Sequence, residues 1–182
     1  MITKHLEAHL GTIARGWSDE NHHQTPSVVM FDNVPEKHVA TFSTLGLSAH
    51  ILKMRDAREV REEFLLAVRQ PIPQEQILLF IFAAADGLLT DHRALLRGEL
   101  IGDGTPIVPG SSCSYAYSAI PTLFADTFHV DESTTPPTVM VWLIPITAQE
   151  ATYVKVSGWD AFETLLEERQ PDLFDLARGS IV

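Results

Sequence analysis

The alternation of hydrophobic and polar residues is clearest near the C-terminal end of the chain. Residues 138–144 (Thr-Val-Met-Val-Trp-Leu-Ile) are β-branched, aromatic and apolar, which is typical of a buried strand. Pro145 lacks a backbone donor and is expected to end the pairing of this strand. Thr147 and Glu150 stand three residues apart, as in a capping box, where each side chain accepts a hydrogen bond from the other residue's amide. The pattern therefore predicts a strand followed by a capped helix.

A second helix, residues 159–169, is predicted after a break at Gly158. At about 100° per residue its apolar residues fall on one face, and its three glutamates point away from that face. The apolar face consists of Phe162, Leu165 and Leu166, and the carboxylate face consists of Glu163, Glu167 and Glu168. Pro171 ends the helix, and residues 172–179 predict a final helical turn closed by Gly179.

The first half of the chain combines one helical pattern with three short strand patterns. Apolar residues at positions 2, 6, 10, 13 and 17 predict an amphipathic helix that ends near Gly16. A polar loop follows, in which His22 and His23 are interpreted as a solvated pair. Segments rich in β-branched and aromatic residues then predict strands at residues 28–31, 38–44 and 63–68, the last two as antiparallel neighbours.

The segment of residues 74–96 is long and apolar, and its residues 77–82 are compatible with a buried strand or a helix. A proline before it, three consecutive alanines and a length of about twenty residues favour the helix. After a loop rich in glycine and proline, residues 114–128 predict one or two irregular strands interrupted at Pro121. This order of elements predicts an α+β fold, a mostly antiparallel central sheet flanked by helices, in a single domain over residues 1–182.

Acidic residues dominate the second half of the chain, and the whole sequence carries a net charge of −11. Residues 1–97 contain ten Lys or Arg against twelve Asp or Glu, a net charge of −2. Residues 98–182 contain three against twelve, a net charge of −9. Such a field repels nucleic-acid phosphates and anionic membranes and attracts basic proteins. We therefore expect a basic protein partner, and no binding to nucleic acid or membrane.

The cysteine content and the N-terminal sequence bear on the cellular compartment. Cys113 is the one cysteine, so an internal disulfide is excluded and a reducing compartment is expected. The first residues lack the apolar core of a signal peptide, and the longest apolar run, residues 77–85, is far shorter than the roughly 20 residues of a membrane span. These features predict a soluble cytoplasmic protein.

Six short segments follow one another in the order and spacing of a known family. They are residues 35–38 (Pro-Glu-Lys-His), 44–48 (Thr-Leu-Gly-Leu-Ser), 63–68 (Glu-Phe-Leu-Leu-Ala-Val), 71–73 (Pro-Ile-Pro) with the helix after them, 139–146, and 175–179 (Asp-Leu-Ala-Arg-Gly). Together they resemble the Suppressor of fused family over nearly all of the chain. The sequence departs from the family at Gly98-Glu99, where the family often has Gly-Asp-His or Gly-His, so no role of that histidine carries over.

The resemblance implies a protein-binding module that is not an enzyme, with the fold of the family's N-terminal lobe. Animal members are larger, pair this lobe with a second one and hold a transcription-factor segment between the two. The chain has room for the first lobe only, like stand-alone bacterial members, which are thought to act as immunity proteins in toxin systems. We therefore expect a protein that neutralises a basic toxin by stoichiometric binding and that uses no cofactor.

Candidate metal-binding and catalytic residues form incomplete sets. His5 and His9 stand one helical turn apart, a spacing that suits zinc, but a metalloprotease helix has its glutamate where this chain has Leu6. No metal site is therefore expected. Asp91 and His92 are the ordinary groups of acid–base chemistry, yet adjacent helical residues diverge by about 100°. Asp86, close to them in sequence, is interpreted with them as polar residues near a helix end.

The segment of residues 110–114 (Gly-Ser-Ser-Cys-Ser) lacks the second glycine of a nucleophile elbow, and no base stands near it in sequence. Cys113 is therefore interpreted as a small buried apolar residue. Two alternatives to the binding module stay open. One is a small-molecule hydrolase that uses Asp91 and His92 or Cys113, and the other is a structural homo-oligomer that pairs through residues 77–85.

The partner-binding residues are predicted from the charge pattern. They are Glu163, Glu167 and Glu168 on the last long helix, with Asp131 and Glu132 as a second acidic edge. Exposed ion pairs each contribute about 0 to 1 kcal/mol, so several charges and an apolar anchor are needed for affinity.

Overall fold

Nine strands form one sheet at the centre of the computed structural model, which describes residues 1–18 and 26–182. The strands are β1 (Arg15–Trp17), β2 (Ser27–Asp32), β3 (Val39–Leu45), β4 (Leu52–Lys53), β5 (Glu59–Arg69), β6 (Leu100–Ile101), β7 (Cys113–Ala119), β8 (Val130–Asp131) and β9 (Thr138–Thr147). The helices are α1 (Ile2–Leu10), α2 (Gln74–Asp91), α3 (Ala148–Ser157) and α4 (Trp159–Arg169). His22 and His23 of the predicted polar loop lie outside the described residues.

The sheet is mixed, with its two longest strands, β5 and β9, parallel and side by side at the centre. The strand order is β1-β2-β3-β5-β9-β7-β6, with β4 beside the first residues of β5 and β8 beside the first residues of β9. The other strand pairs in the described part of the chain are antiparallel. The predicted α+β fold with a mostly antiparallel sheet is confirmed, and the parallel pair is an addition that joins strands far apart in sequence.

Helices cover both faces of the sheet. Because neighbouring residues of a strand point to opposite faces, β9 contributes to two separate cores. Val141 and Leu143 pack with α2, whereas Trp142 and Ile144 pack with α3 and α4. Helix α1 packs on the same face as α3 and α4, beside β2 and β9. Residues 138–144 are therefore apolar at nearly every position because β9 is buried on both faces.

Most of the predicted elements are present, with shifted ends. Strands β2, β3 and β5 lie at the three predicted positions in the first half of the chain. Helix α2 is confirmed as a helix, but it ends at Asp91 with the left-handed residue His92 (φ 48°), before the predicted end at residue 96. The segment 114–128 contributes strand β7 and a short 3-10 turn at Asp126–Phe128. The two-residue strands β6 and β8 are too short to leave a periodic pattern.

The first helix is shorter than predicted. It ends at Leu10, and Gly11 follows with φ 88°, a conformation that L-residues rarely adopt. Gly16 and Trp17 lie instead in β1, opposite Val29 and Val28 of β2. The position of Trp17 fits the apolar spacing of a helix, but its side chain packs against the hydrophobic core of the sheet instead.

Pro145 does not end its strand, contrary to the prediction. Strand β9 continues to Thr147, with Pro145 opposite Ala116 of β7. The carbonyl of Pro145 accepts a hydrogen bond from Arg178 Nη2 at 3.1 Å. The nitrogen and oxygen of one strand residue face the same edge, so the proline ring lies on the edge away from β7. Strand β5 pairs with β9 only as far as Trp142, so no ladder hydrogen bond is lost at this proline.

The C-terminal residues form turns rather than the predicted helical turn. Asp172 and Asp175 accept hydrogen bonds from the amides two residues further on, at 3.0 and 2.9 Å, and such turns compete with helix formation. The segment 172–181 then crosses one end of the sheet. It accepts hydrogen bonds from Arg69 N at the end of β5 and from Ser112 N just before β7.

A buried salt bridge fixes this segment to the start of α3. Arg178 donates to both carboxylate oxygens of Glu150, at 2.6 and 2.8 Å. Glu150 is fully buried and Arg178 is 7% exposed. The same carboxylate accepts from Thr147 N at 2.8 Å, and the Thr147 hydroxyl accepts from Glu150 N at 3.2 Å. The predicted capping box is confirmed, and its glutamate also holds the C-terminal segment.

A second buried carboxylate, Glu63 of β5, holds the loop after β3. It accepts hydrogen bonds from the hydroxyls of Thr44 and Ser48 at 2.5 and 2.7 Å. The amides of Gly46 and Ser48 also donate to it, at 2.9 and 3.1 Å. Four donors satisfy a group that would otherwise be costly to bury. Glu63 and residues 44–48, two of the segments that carry the resemblance, are therefore one structural unit.

Replacing Arg178 by Met is predicted to destabilise the fold by about 3–5 kcal/mol, because it leaves the buried Glu150 carboxylate without its cation. Urea unfolding measures this change. The matched control is Arg58→Met, which breaks an exposed pair with Asp56 and is expected to change stability little. Equal unfolding midpoints for the two variants would contradict the structural role of the buried pair.

Candidate functional site

Glu163 does not point outward from α4, contrary to the prediction. Arg97 donates to both of its carboxylate oxygens, and the hydroxyl of Tyr117 donates to it at 2.8 Å. Burial alone raises the pKa of Glu163, but the hydrogen bonds from Arg97 and Tyr117 outweigh burial and hold the pKa below its usual value. Glu163 lies at the edge of the apolar face, next to Phe162 and one turn from Leu166. Its negative charge is neutralised by Arg97 and is not available to a partner.

The other predicted acids differ in exposure. Glu167, Glu168 and Glu132 are exposed. Asp131 is 7% exposed and accepts a hydrogen bond from Ser133 N at 2.9 Å. Its burial raises the pKa, but the hydrogen bonds from Ser133 outweigh that effect and keep the pKa low. Asp131 therefore belongs to the fold of its loop, and the predicted second acidic edge is reduced to Glu132.

The histidines of α1 form hydrogen bonds with backbone carbonyl groups of the chain. His5 Nε2 donates to the carbonyl of Phe128 at 2.9 Å, and His9 Nδ1 donates to the carbonyl of His5 at 2.9 Å. Both rings lie against the ring of Phe128. In the part of the chain that the structure describes, no group of three or more potential ligands could hold a metal ion.

The residues of the hydrolase alternative do not converge. Asp91 is the last residue of α2, and both it and His92 are exposed. Cys113 is fully buried, and burial raises the pKa of its thiol to about 11. A thiol with such a pKa is protonated at neutral pH and is a poor nucleophile. The interpretation of Cys113 as a buried apolar residue is therefore supported.

The apolar helix of the homo-oligomer alternative is covered by its own sheet. Ile77, Ile81 and Ala85 of α2 are buried in the core under β2, β3 and β5. Leu79 is the large apolar residue that α2 exposes most, at 62%. A single exposed leucine is normal on a protein surface and does not indicate an interface.

An apolar groove of about 290 Å³ lies between α4 and the loop after β7. We call it the α4 groove. Its floor is formed by Tyr117, Trp142 and Ile144, and its walls by Leu166, Glu167 and Leu173 on one side and by Ile120, Thr122 and Leu123 on the other. Arg97 and Glu163 also line it. Ile120 and Leu123 are 41% and 36% exposed, large values for branched apolar side chains.

The floor of the α4 groove carries an unused hydrogen-bond donor. The indole Nε1 of Trp142 is buried and has no acceptor among the residues that the structure describes. Such a buried donor is costly to leave unsatisfied. Apolar walls with a few polar groups are typical of binding pockets.

Arg97 is held in place by its neighbours. Its guanidinium lies 4.6 Å from the ring centroid of Trp159, in a cation–π contact. Gly98 allows this approach, because a Cβ there would lie 2.5 Å from the Cβ of Trp159. Glu99, at the position where the sequence departs from the family, forms ion pairs with Arg55 and Arg93.

A second cleft of about 410 Å³ opens on the face of the sheet that carries α2, and we call it the Glu62 cleft. Its lining residues are Met54, Val60, Glu62, Leu95, Leu96, Arg97, Ser118, Ala119, Ile120, His129, Val130, Val139, Met140 and Val141. Glu62 is 3% exposed and accepts a hydrogen bond from Leu95 N at 3.0 Å. Burial raises its pKa to about 8. The buried Nε2 of His129 has no partner among the described residues.

Sequence reasoning missed both the groove floor and Glu62. Trp142 looks like one more residue of a buried strand, and no local pattern shows that it lines the groove. Glu62 and Glu63 are adjacent in a strand, so they must point to opposite faces. Because the residues on both faces of β5 are mostly apolar, two adjacent glutamates in this strand could have predicted that at least one carboxyl group is buried.

Comparisons with known proteins place the chain in a family. The sequence profile of the Suppressor of fused protein (SUFU) family matches residues 22–179. The chain belongs to the Suppressor of fused family. A comparison with curated protein sequences finds no match.

Solved structures of SUFU proteins share the fold at low sequence identity. A SUFU homologue from Neisseria gonorrhoeae is 18% identical, with a TM-score of 0.80, over 100% of this chain and 94% of that chain. A chain of the Sufu–Fu complex is 11% identical, with a TM-score of 0.76, over 99% of this chain and 90% of that chain. Drosophila Suppressor of Fused is 12% identical, with a TM-score of 0.67, over 88% of this chain and 44% of that chain.

None of the helices in the described part of this SUFU-family chain is long and apolar enough to cross a membrane.

The raised pKa of Glu62 predicts a pH-dependent stability. Folded Glu62 keeps its proton up to about pH 8, whereas the unfolded residue loses it near 4.5. Between these two pH values the folded state binds one more proton than the unfolded state. The free energy of unfolding therefore falls as the pH rises through this range. From pH 5 to pH 8 the free energy of unfolding of the wild type is predicted to fall more than that of Glu62→Gln, by about 2 kcal/mol or more.

Urea unfolding at both pH values measures this difference. Every other titratable group is common to the two proteins, so its contribution cancels in the comparison. Parallel pH profiles for the wild type and the variant would show that Glu62 has an ordinary pKa.

Proposed function

We propose that this SUFU-family chain is a non-catalytic protein-binding module that neutralises a basic toxin by stoichiometric binding, as an immunity protein. A segment of the partner occupies the α4 groove. The observation that carries the proposal is the groove itself, which Ile120 and Leu123 line as exposed apolar residues together with the buried Trp142. Apolar anchors in a pocket contribute most of the binding energy of typical interfaces.

One solved structure of a relative supports a protein partner. The solved Sufu–Fu complex contains a SUFU protein together with a partner, and this chain shares its fold. The hydrolase alternative is less favourable, because the Cys113 thiol is buried and Asp91 and His92 lie on an exposed helix end.

The acidic residues act on the rate of association in this proposal. Glu167 lies on the groove wall, and Glu168 and Glu132 are exposed elsewhere on the surface. Exposed charges steer a basic partner toward the groove but contribute little to the final affinity, and salt screens them. Glu163 takes part through its pair with Arg97, and both residues line the groove.

Replacing Leu123 by Asp is predicted to abolish capture of the partner, because it places a charge in the apolar wall of the groove. The matched control is Leu79→Asp, which changes an exposed leucine of α2 on the other face of the sheet. Wild type and control, used as baits in extracts of the source cell, are expected to retain the same basic protein in equal amounts.

The captured protein then tests the immunity role. Its expression alone is expected to stop growth, and co-expression with the wild type or Leu79→Asp, but not with Leu123→Asp, restores growth. The double variant Glu167→Gln, Glu168→Gln should bind the same protein with a slower, less salt-dependent association rate. Retention by the Leu123→Asp bait would place the interface elsewhere, and a captured protein that does not affect growth would leave a binding module without the immunity role.

A further inference from the structure

The Glu62 cleft combines apolar walls with one buried carboxyl group. The walls are formed mainly by the side chains of Met54, Val60, Leu95, Val139 and Val141. Glu62 lies in β5 and points to the same face as its neighbours Val60 and Phe64. A long aliphatic chain with a polar head fits such a cleft, because its methylene groups replace water on the walls while its head reaches the carboxyl.

The hydrogen bonding of Glu62 is incomplete. Among the described residues, Leu95 N is its one hydrogen-bond donor. A carboxylate accepts about four hydrogen bonds, and the adjacent Glu63 receives four. His129 Nε2, also without a partner, lines the same cleft. A carboxyl group with one donor favours a ligand that brings further donors on a positive charge.

The charged groups around the cleft leave Glu62 without a cation of its own. The charge of Arg93 acts on Glu62, but Arg93 pairs with Glu99, as does Arg55. Arg97 lies at the rim and pairs with Glu163. Burial, with a smaller contribution from Glu99, raises the pKa of Glu62 to about 8, while the hydrogen bond from Leu95 and the charge of Arg93 oppose the shift. The carboxyl is therefore protonated at neutral pH and must release its proton when a cation enters.

We infer that the Glu62 cleft receives the ammonium group of a lysine side chain from the partner protein, with Glu62 as its counter-ion. That the ligand belongs to a protein partner rests on the proposed function. The preference for an alkylammonium group rests on the cleft alone. Ala119 and Ile120 line both the cleft and the α4 groove. A partner segment in the groove therefore reaches the cleft across the end of β7.

Titration with n-butylammonium, which corresponds to the lysine side chain, tests the assignment. The carboxyl signal of Glu62 in ¹³C NMR is expected to move to its ionised position as the ligand binds. The affinity is expected to be at least about tenfold weaker for Glu62→Gln, which keeps the size of the side chain but cannot ionise. The neutral n-butanol has the same length and is expected to bind both proteins equally.

The pH dependence in the wild type gives a second readout that needs no variant. Because Glu62 must lose its proton, the affinity for n-butylammonium is expected to rise about tenfold between pH 6.5 and pH 8. The pH profile of Glu62→Gln measures the contribution of all other groups. The urea midpoint of that variant verifies that it is folded.

Three results would overturn the assignment. They are equal n-butylammonium affinity in wild type and Glu62→Gln, a pH-independent affinity in the wild type, and binding of n-butylguanidinium but not n-butylammonium. The titration contains no partner protein. A negative result therefore leaves the α4 groove proposal standing, and a failure of partner capture leaves the titration result unchanged.

Discussion

The salt bridge between Glu150 and Arg178 determines how the second half of the chain is assembled. Glu150 caps α3 through Thr147, and Arg178 binds the carbonyl of Pro145, so one buried pair connects β9, α3 and the C-terminal segment. That segment accepts hydrogen bonds from the end of β5 and from the residue before β7, and it thereby spans the central strands. Leu173 of this segment forms part of the α4 groove wall, so the geometry of the groove depends on the buried pair.

The segments that carry the family resemblance are structural. Residues 44–48 and Glu63 form one hydrogen-bonded unit, and residues 175–179 contain the arginine that binds Glu150. Both units are buried and join strands to loops, which is a requirement of the fold rather than of a particular partner. A fold shared at 11–18% identity with other SUFU structures agrees with this division. The groove and the Glu62 cleft lie instead at the end of β7, where Ile120 is exposed.

The accuracy of sequence reasoning followed the range of the interactions involved. The capping box of Thr147 and Glu150 involves residues three apart, and its prediction is confirmed. The strand end at Pro145 was predicted wrongly, because whether a proline is tolerated depends on which edge of the strand is paired. Glu163 was placed on the wrong face, because its partner Arg97 is distant in sequence. The parallel β5–β9 pair and the two clefts arise from long-range contacts that no local pattern records.

The central claim is that the proposed partner surface lies at the end of β7, away from the buried units that carry the family resemblance. Hydrogen–deuterium exchange of the chain with and without its captured partner tests this claim most directly. The account predicts slower exchange in residues 119–124 and 163–167, around the α4 groove, with unchanged exchange along α2. Slower exchange confined to α2, with residues 119–124 unaffected, would contradict it.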